Sequence, residues 1–133
     1  MRTHVEGTSN AYELFPMQGM DAGPTCRIVR NVAVIELKGP FGEERTVHAF
    51  YDTIRELLEE GAGNFAINLA QVPGADGYTL GALAGAYNLV RQAGGRIKFF
   101  AATERLIRAL RKFHLDSVLE LYANEASALS NLQ

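Results

Sequence analysis

Phe65-Ala66-Ile67-Asn68-Leu69 is a short apolar run, followed by a loop from Ala70 to Gly77 that carries Pro73 and two glycines. Beyond it Leu80, Leu83, Ala84, Tyr87 and Val90 recur at helical spacing. Gly94-Gly95 closes that pattern, and Ile97, Phe99 and Phe100 resume an extended run. A strand, a helix and a second strand in that order cannot fold as a tight hairpin. The strands pair in parallel and the helix lies on the sheet.

The same alternation extends in both directions. Upstream, Arg27 to Leu37 reads as strand with a turn near Arg30-Asn31, and the β-branched run Val32-Ala33-Val34-Ile35-Glu36-Leu37 stops at Gly39-Pro40. From about Glu44 to Glu60, Val47, Phe50, Ile54, Leu57 and Leu58 form one apolar helical stripe, and Gly61 is placed to end it. Downstream, Thr103 is a candidate N-cap for a helix that turns Leu106, Ile107, Leu110 and Phe113 inward. Val118 to Leu121 reads as a last strand, and Glu125 to Leu132 as a final short helix. The predicted order is ββαβαβαβα: an α/β fold with a mixed, mostly parallel sheet of about five strands and about four helices.

Residues 1–24 differ. They mix Gly, Ser, Thr, Asn and Pro with isolated Tyr12, Leu14 and Phe15 and show no period. They read as a flexible or loosely docked extension ahead of a domain spanning 25–133. Met17 and Met20 lie near its end, so Met20 is an alternative start.

The 133 residues suffice for one domain and its core. A net charge of −2 and a pI near 5.9 leave no electrostatic footprint for nucleic acid or an anionic membrane surface. Arg105, Arg108, Arg111 and Lys112 lie close together and read as one solvated helix face. No apolar run approaches the roughly 18 residues of a transmembrane span, and the start lacks signal-peptide order. Cys26 is the single cysteine, which rules out an intramolecular disulfide and reads as a small buried hydrophobe. The expected location is cytoplasmic.

Catalytic templates fail. Gly74-Ala75-Asp76-Gly77-Tyr78-Thr79 has no lysine to hold nucleotide phosphates, and no glycine fingerprint follows the first strand. His4, His48 and His114 are scattered, without a metal-ligand companion at i+4. Glu43-Glu44 precede a helix, where acids suit the macrodipole, and Asp52, Glu56, Glu59 and Glu60 lie opposite its apolar stripe. The expectation is no enzyme, no cofactor and no metal site. Gly77, Gly81 and Gly85 recur every four residues, which reads as close helix-to-sheet packing. The interesting place is the passage from Asn68 to Leu80. In open parallel sheets ligands and partners meet the strands' carboxyl ends, and a helix N-terminus favours anions. Asp76 sits where it can cap that helix.

Residues from about Thr25 to Leu132 resemble the STAS domain of anti-sigma-factor antagonists. The resemblance is carried by Val32-Ala33-Val34-Ile35-Glu36-Leu37-Lys38-Gly39, then Ile54-Arg55-Glu56-Leu57-Leu58 and Asn68-Leu69. It continues through Leu80-Gly81, Leu83, Tyr87 and Arg91-Gln92-Ala93-Gly94-Gly95-Arg96-Ile97-Lys98, and closes with Leu115 and Glu125-Ala126-Ser127-Ala128-Leu129. It implies the STAS fold and a protein that binds an anti-sigma factor. That partner is also a serine kinase, which phosphorylates the first serine of a loop typically reading Asp-Ser-Ser-Gly-Leu-Gly. Phosphorylation there abolishes binding, because about −1.5 to −2 charges at a packed interface repel acidic neighbours and cost desolvation.

This chain reads Asp76-Gly77-Tyr78-Thr79-Leu80-Gly81 instead. Asp76, Leu80 and Gly81 match the pattern, and the acceptor position is Gly77. Thr79 is a weak alternative acceptor or a helix-capping hydroxyl, and Tyr78 is a candidate interface anchor or folds back on the helix. The resemblance therefore implies partner binding through Asp76 to Gly81 without the usual phosphorylatable serine. Two other readings stay open: a degenerate STAS scaffold that assembles with other STAS proteins or with itself, and a sensor of a small anionic ligand at the helix N-terminus.

Overall fold

The computed structural model describes residues 24–38, 44–73 and 76–132. The expectations about residues 1–23, Glu43 and His4 lie outside them. Strands β1 (Thr25–Val29) and β2 (Val32–Lys38) form a hairpin, pairing antiparallel from Thr25–Glu36 to Val29–Val32. The two residues between them, Arg30 and Asn31, have φ of 51° and 71°, the backbone of a type I′ turn.

Helix α1 (Glu44–Glu59), strand β3 (Asn64–Gln71), helix α2 (Gly77–Gln92), strand β4 (Arg96–Phe100) and helix α3 (Glu104–Lys112) then alternate. Strand β5 (Leu121–Tyr122) and helix α4 (Glu125–Ser130) complete the order. The sheet runs β1-β2-β3-β4-β5, with all pairs after the hairpin parallel. Sequential order with parallel crossovers lays α1, α2 and α3 side by side on one face. There Phe50, Ile54, Leu83, Leu106 and Leu110 bury against Ile35, Ile67 and Phe99 in one core. The opposite face holds a smaller cluster, where Ala128 and Leu129 of α4 cover Val34, Ala66 and Phe100.

The long helices α1, α2 and α3 end alike. Ala62, Gly95 and Leu115 donate back to the carbonyls of Leu57, Val90 and Leu110 at 2.9, 2.9 and 2.8 Å. This turn needs a left-handed residue just past the helix, supplied by Gly61 (φ 101°), Gly94 (φ 86°) and, at a steric cost, His114 (φ 60°). It corrects the prediction for Phe113. The turn carries Leu115 back under Leu110, so Phe113 stays 58% exposed instead of packing inward.

The last predicted strand is also shorter. Val118 and Leu119 donate to the Leu115 carbonyl at 3.0 and 2.8 Å, a helical turn that takes both residues out of the sheet. Leu119 enters the core, Val118 is exposed, and only Leu121 and Tyr122 pair with Phe99 and Phe100. The four Lys and Arg residues of α3 are exposed, as are Asp52, Glu56 and Glu59 on α1 and Glu60 just past it. Cys26 is buried, and desolvation pushes its thiol up to about 12.

Candidate functional site at the start of helix α2

Strand β3 ends at Gln71, and the chain enters α2 through Asp76. Asp76 is extended (φ −87°, ψ −179°), and its carboxylate oxygen accepts from the Thr79 backbone N–H at 2.9 Å. The Thr79 hydroxyl donates to the same oxygen at 2.9 Å, and Leu80 N–H donates to the Asp76 carbonyl at 3.0 Å. Those donors, the Thr79 amide first and then its hydroxyl, hold the Asp76 carboxyl below its ordinary range. The expected cap is therefore present, and Thr79 is a second half of it.

The six predicted residues divide by exposure. Thr79 is 1% exposed and Leu80 is buried, both facing the core. Asp76, Gly77, Tyr78 and Gly81 face solvent, Tyr78 at 57% exposure. A Cβ built on Gly77 or Gly81 would meet nothing within 4 Å. Neither has a left-handed backbone, so both positions admit a side chain. This overturns the reading of Gly77, Gly81 and Gly85 as a helix-to-sheet stripe. Gly85 alone is tight, and what a side chain there would strike is the Tyr51 phenol of α1.

Tyr51 is the participant that sequence reading missed. Its hydroxyl lies 3.3 Å from the Gly81 carbonyl and 3.2 Å from that of Ala82, seating α1 on the first turns of α2. Burial raises its pKa, against an opposing effect of the nearby Arg55 charge. The signal was present in the sequence, since Tyr51 falls between Val47 and Ile54 on the edge of the apolar stripe of α1. Val47, His48, Tyr51, Asp52 and Arg55 line an open cleft of about 380 Å³ with Tyr78 on its rim. Tyr78 thus stands across from α1 as a half-open aromatic wall.

A second element reaches the same end of the sheet. Ala101, just past β4, has φ 63°, a left-handed conformation unusual for alanine, and its N–H donates to the Tyr122 carbonyl at 3.0 Å. Among the described residues no three His, Cys, Asp or Glu gather to hold a metal ion, and no helix is long and apolar enough to cross a membrane.

A protein-family model described as the STAS domain matches residues 24–128. The chain belongs to the STAS domain family. The structural comparison agrees on the fold. The Thermotoga maritima protein TM1081 superposes with a TM-score of 0.71 at 17% identity, covering 98% of each chain. An anti-sigma-factor antagonist (STAS) domain protein from Planctomyces limnophilus gives 0.69 at 16% identity, over 84% of this chain and 98% of that one. The anti-sigma factor antagonist SpoIIAA from Bacillus, in its unphosphorylated form, gives 0.66 at 17%, over 81% and 94%. No curated protein matches the chain. Within this STAS chain, Gly77 and Tyr78 are exposed at the start of α2 and Thr79 is buried.

Proposed function

We propose that this STAS chain, with residues 25–133 as the folded unit and 1–24 as an extension, is a cytoplasmic anti-sigma-factor antagonist. It binds an anti-sigma factor that is also a serine kinase, and it does so without the serine off-switch. The carrying observation is the start of α2: Asp76 caps it, while Gly77 and Tyr78 stand exposed and offer no aliphatic hydroxyl. Binding uses the exposed part of Asp76, Gly77, Tyr78, Thr79, Leu80 and Gly81. Tyr78 is the anchor, because a half-exposed aromatic gains most from burial against a partner. Thr79 and Leu80, which follow it in sequence, are buried. The Thr79 hydroxyl is turned onto Asp76 with the residue 1% exposed, so a kinase reaches it only by undoing the cap.

SpoIIAA exists as phosphorylated and unphosphorylated forms. Here the acceptor position is open to a side chain but occupied by glycine. The chain therefore stays competent to bind whatever the kinase does. The test is calorimetric titration against anti-sigma-factor kinases from the same genome, with and without ATP. Wild type is expected to bind one of them and keep binding after ATP, with no phosphate gained by mass spectrometry. Gly77→Ser is expected to gain a phosphate and then lose binding. Failure to bind any of these kinases, or phosphate mapped to Thr79 of the wild type, would overturn the reading.

A further inference from the structure

The outward faces of α1 and α3 carry predominantly opposite charge. On α3, Arg105, Arg108, Arg111 and Lys112 fall within an arc of about 120° and a rise of about 10 Å. All four are exposed. Among the described residues one ion pair involves them, Arg108 with Glu104 at 3.4 Å, between well-exposed side chains. On α1, Asp52, Glu56 and Glu59 fall within about 60° and a rise of about 10 Å, with Glu60 just past the helix; all are exposed, and Asp52 pairs with Arg55 of the same helix at 3.4 Å.

The acidic face runs against local physics. Glu56 and Glu59 occupy the last turn of α1, whose carbonyl end is partially negative, and no basic residue stands there to offset them. A feature that breaks a local stability rule is where function is sought. Just past the basic face in sequence, Phe113 and Val118 are exposed at 58% and 43%. Buried apolar contact inside a charged rim is how protein interfaces are built.

Topology sets where these faces lie. Helix α1 crosses from β2 to β3 and α3 from β4 to β5, so they occupy opposite flanks of the helical layer. Both run back toward the amino ends of the parallel strands, which puts Glu56–Glu60 and Arg108–Lys112 at one height. That height is the end remote from Asp76 and Tyr78.

We infer that the basic α3 face of one molecule docks on the acidic α1 face of a second copy, building side-by-side rows. The contact joins two different patches, so it does not close as a two-fold dimer and repeats from copy to copy. Each copy in the row keeps the start of α2 at the free end. The inference goes beyond the proposed function and does not depend on it. Single exposed ion pairs contribute little and are screened by salt, so the association is weak, multivalent and ionic-strength dependent.

Sedimentation equilibrium of the full chain tests it. At about 20 mM salt the weight-average mass is expected to climb with concentration to at least about twice the 14.5 kDa monomer, and to return to the monomer value at about 0.5 M. Arg105→Glu/Arg108→Glu/Lys112→Glu alone and Glu56→Lys/Glu59→Lys alone are each expected to remain monomeric at low salt. Mixed together they are expected to associate, because each then presents the complement of the other. The second variant removes two acids from a helix C-terminus, so circular dichroism should show it at least as stable as wild type. A wild-type chain that is monomeric at low salt overturns the inference. So does association that the single variants retain or the mixture fails to restore, or binding of anionic vesicles without self-association.

Discussion

Asp76 is the residue on which the start of α2 turns, since one of its carboxylate oxygens accepts both Thr79 donors. Asp76→Ala is expected to cost about 1 kcal/mol in urea unfolding at pH 7. Because the folded carboxyl titrates below its ordinary value, this stabilisation is complete above the unfolded value near 4 and fades as pH falls through the lower folded one. The stability difference between the wild type and the variant should therefore narrow as the pH falls below about 4. Glu120 behaves in the same sense, held down chiefly by its hydrogen bond from Lys98. The Asp76 cap was legible in the sequence because capping is local: an acceptor side chain three residues before the donor suffices. The burial of Thr79 was not. It follows from how α2 packs, with Leu83 fully buried and the Tyr51 hydroxyl on the Gly81 and Ala82 carbonyls, which are contacts distant in sequence or set by tertiary packing.

Glycine spacing along α2 shows why element-scale readings go astray. A repeat every four residues defines a stripe, but only packing decides whether the stripe is crowded, and here Gly81 is open while Gly85 lies under Tyr51. Gly81→Ala is expected to stabilise the fold by about 0.5–1 kcal/mol through helix propensity. Gly85→Ala must move the Tyr51 ring and break its bonds to Gly81 and Ala82, so it is expected to lower the melting temperature. Equal effects of the two would mean that α1 and α2 do not meet through Tyr51. The helix ends make a second comparison. Gly61 and Gly94 were readable as stops, whereas His114 does the same work in a left-handed conformation that costs a residue with a Cβ about 1–2 kcal/mol. His114→Gly is accordingly expected to raise stability by about 1 kcal/mol, measured by urea denaturation. That hidden stop is why Phe113 and Val118 misled. Phe113 caps α3 directly before that turn and Val118 lies beyond it, so neither keeps the inward direction of the apolar pattern.

At the scale of the molecule, the alternation of apolar runs and glycine stops determined strand order, because parallel crossovers of this length leave few alternatives. What alternation does not encode is how unevenly the two sheet faces are covered. Three helices and the large cluster lie on one face, and the short α4 lies on the other. Helix α4 has six residues, capped by Asn124, which accepts from Ser127 N–H at 2.9 Å. It is tied to the edge strand β1 by the pair of Arg27 with Glu125, two charge-assisted contacts at 3.2 and 2.5 Å between partly exposed groups. A helix this short is not stable alone, so its order depends on Ala128 and Leu129 staying on Val34, Ala66 and Phe100. Removing part of that contact should free α4 before the rest of the sheet. Leu129→Ala is expected to cost about 2–3 kcal/mol in global stability. Amide exchange of Ala128 and Asn131 should report a smaller opening free energy than that of Ile35 and Ile67 on the central strands β2 and β3. Equal opening free energies in α4 and in those strands would mean that the two faces open together, and that α4 is not a separate unit of the fold.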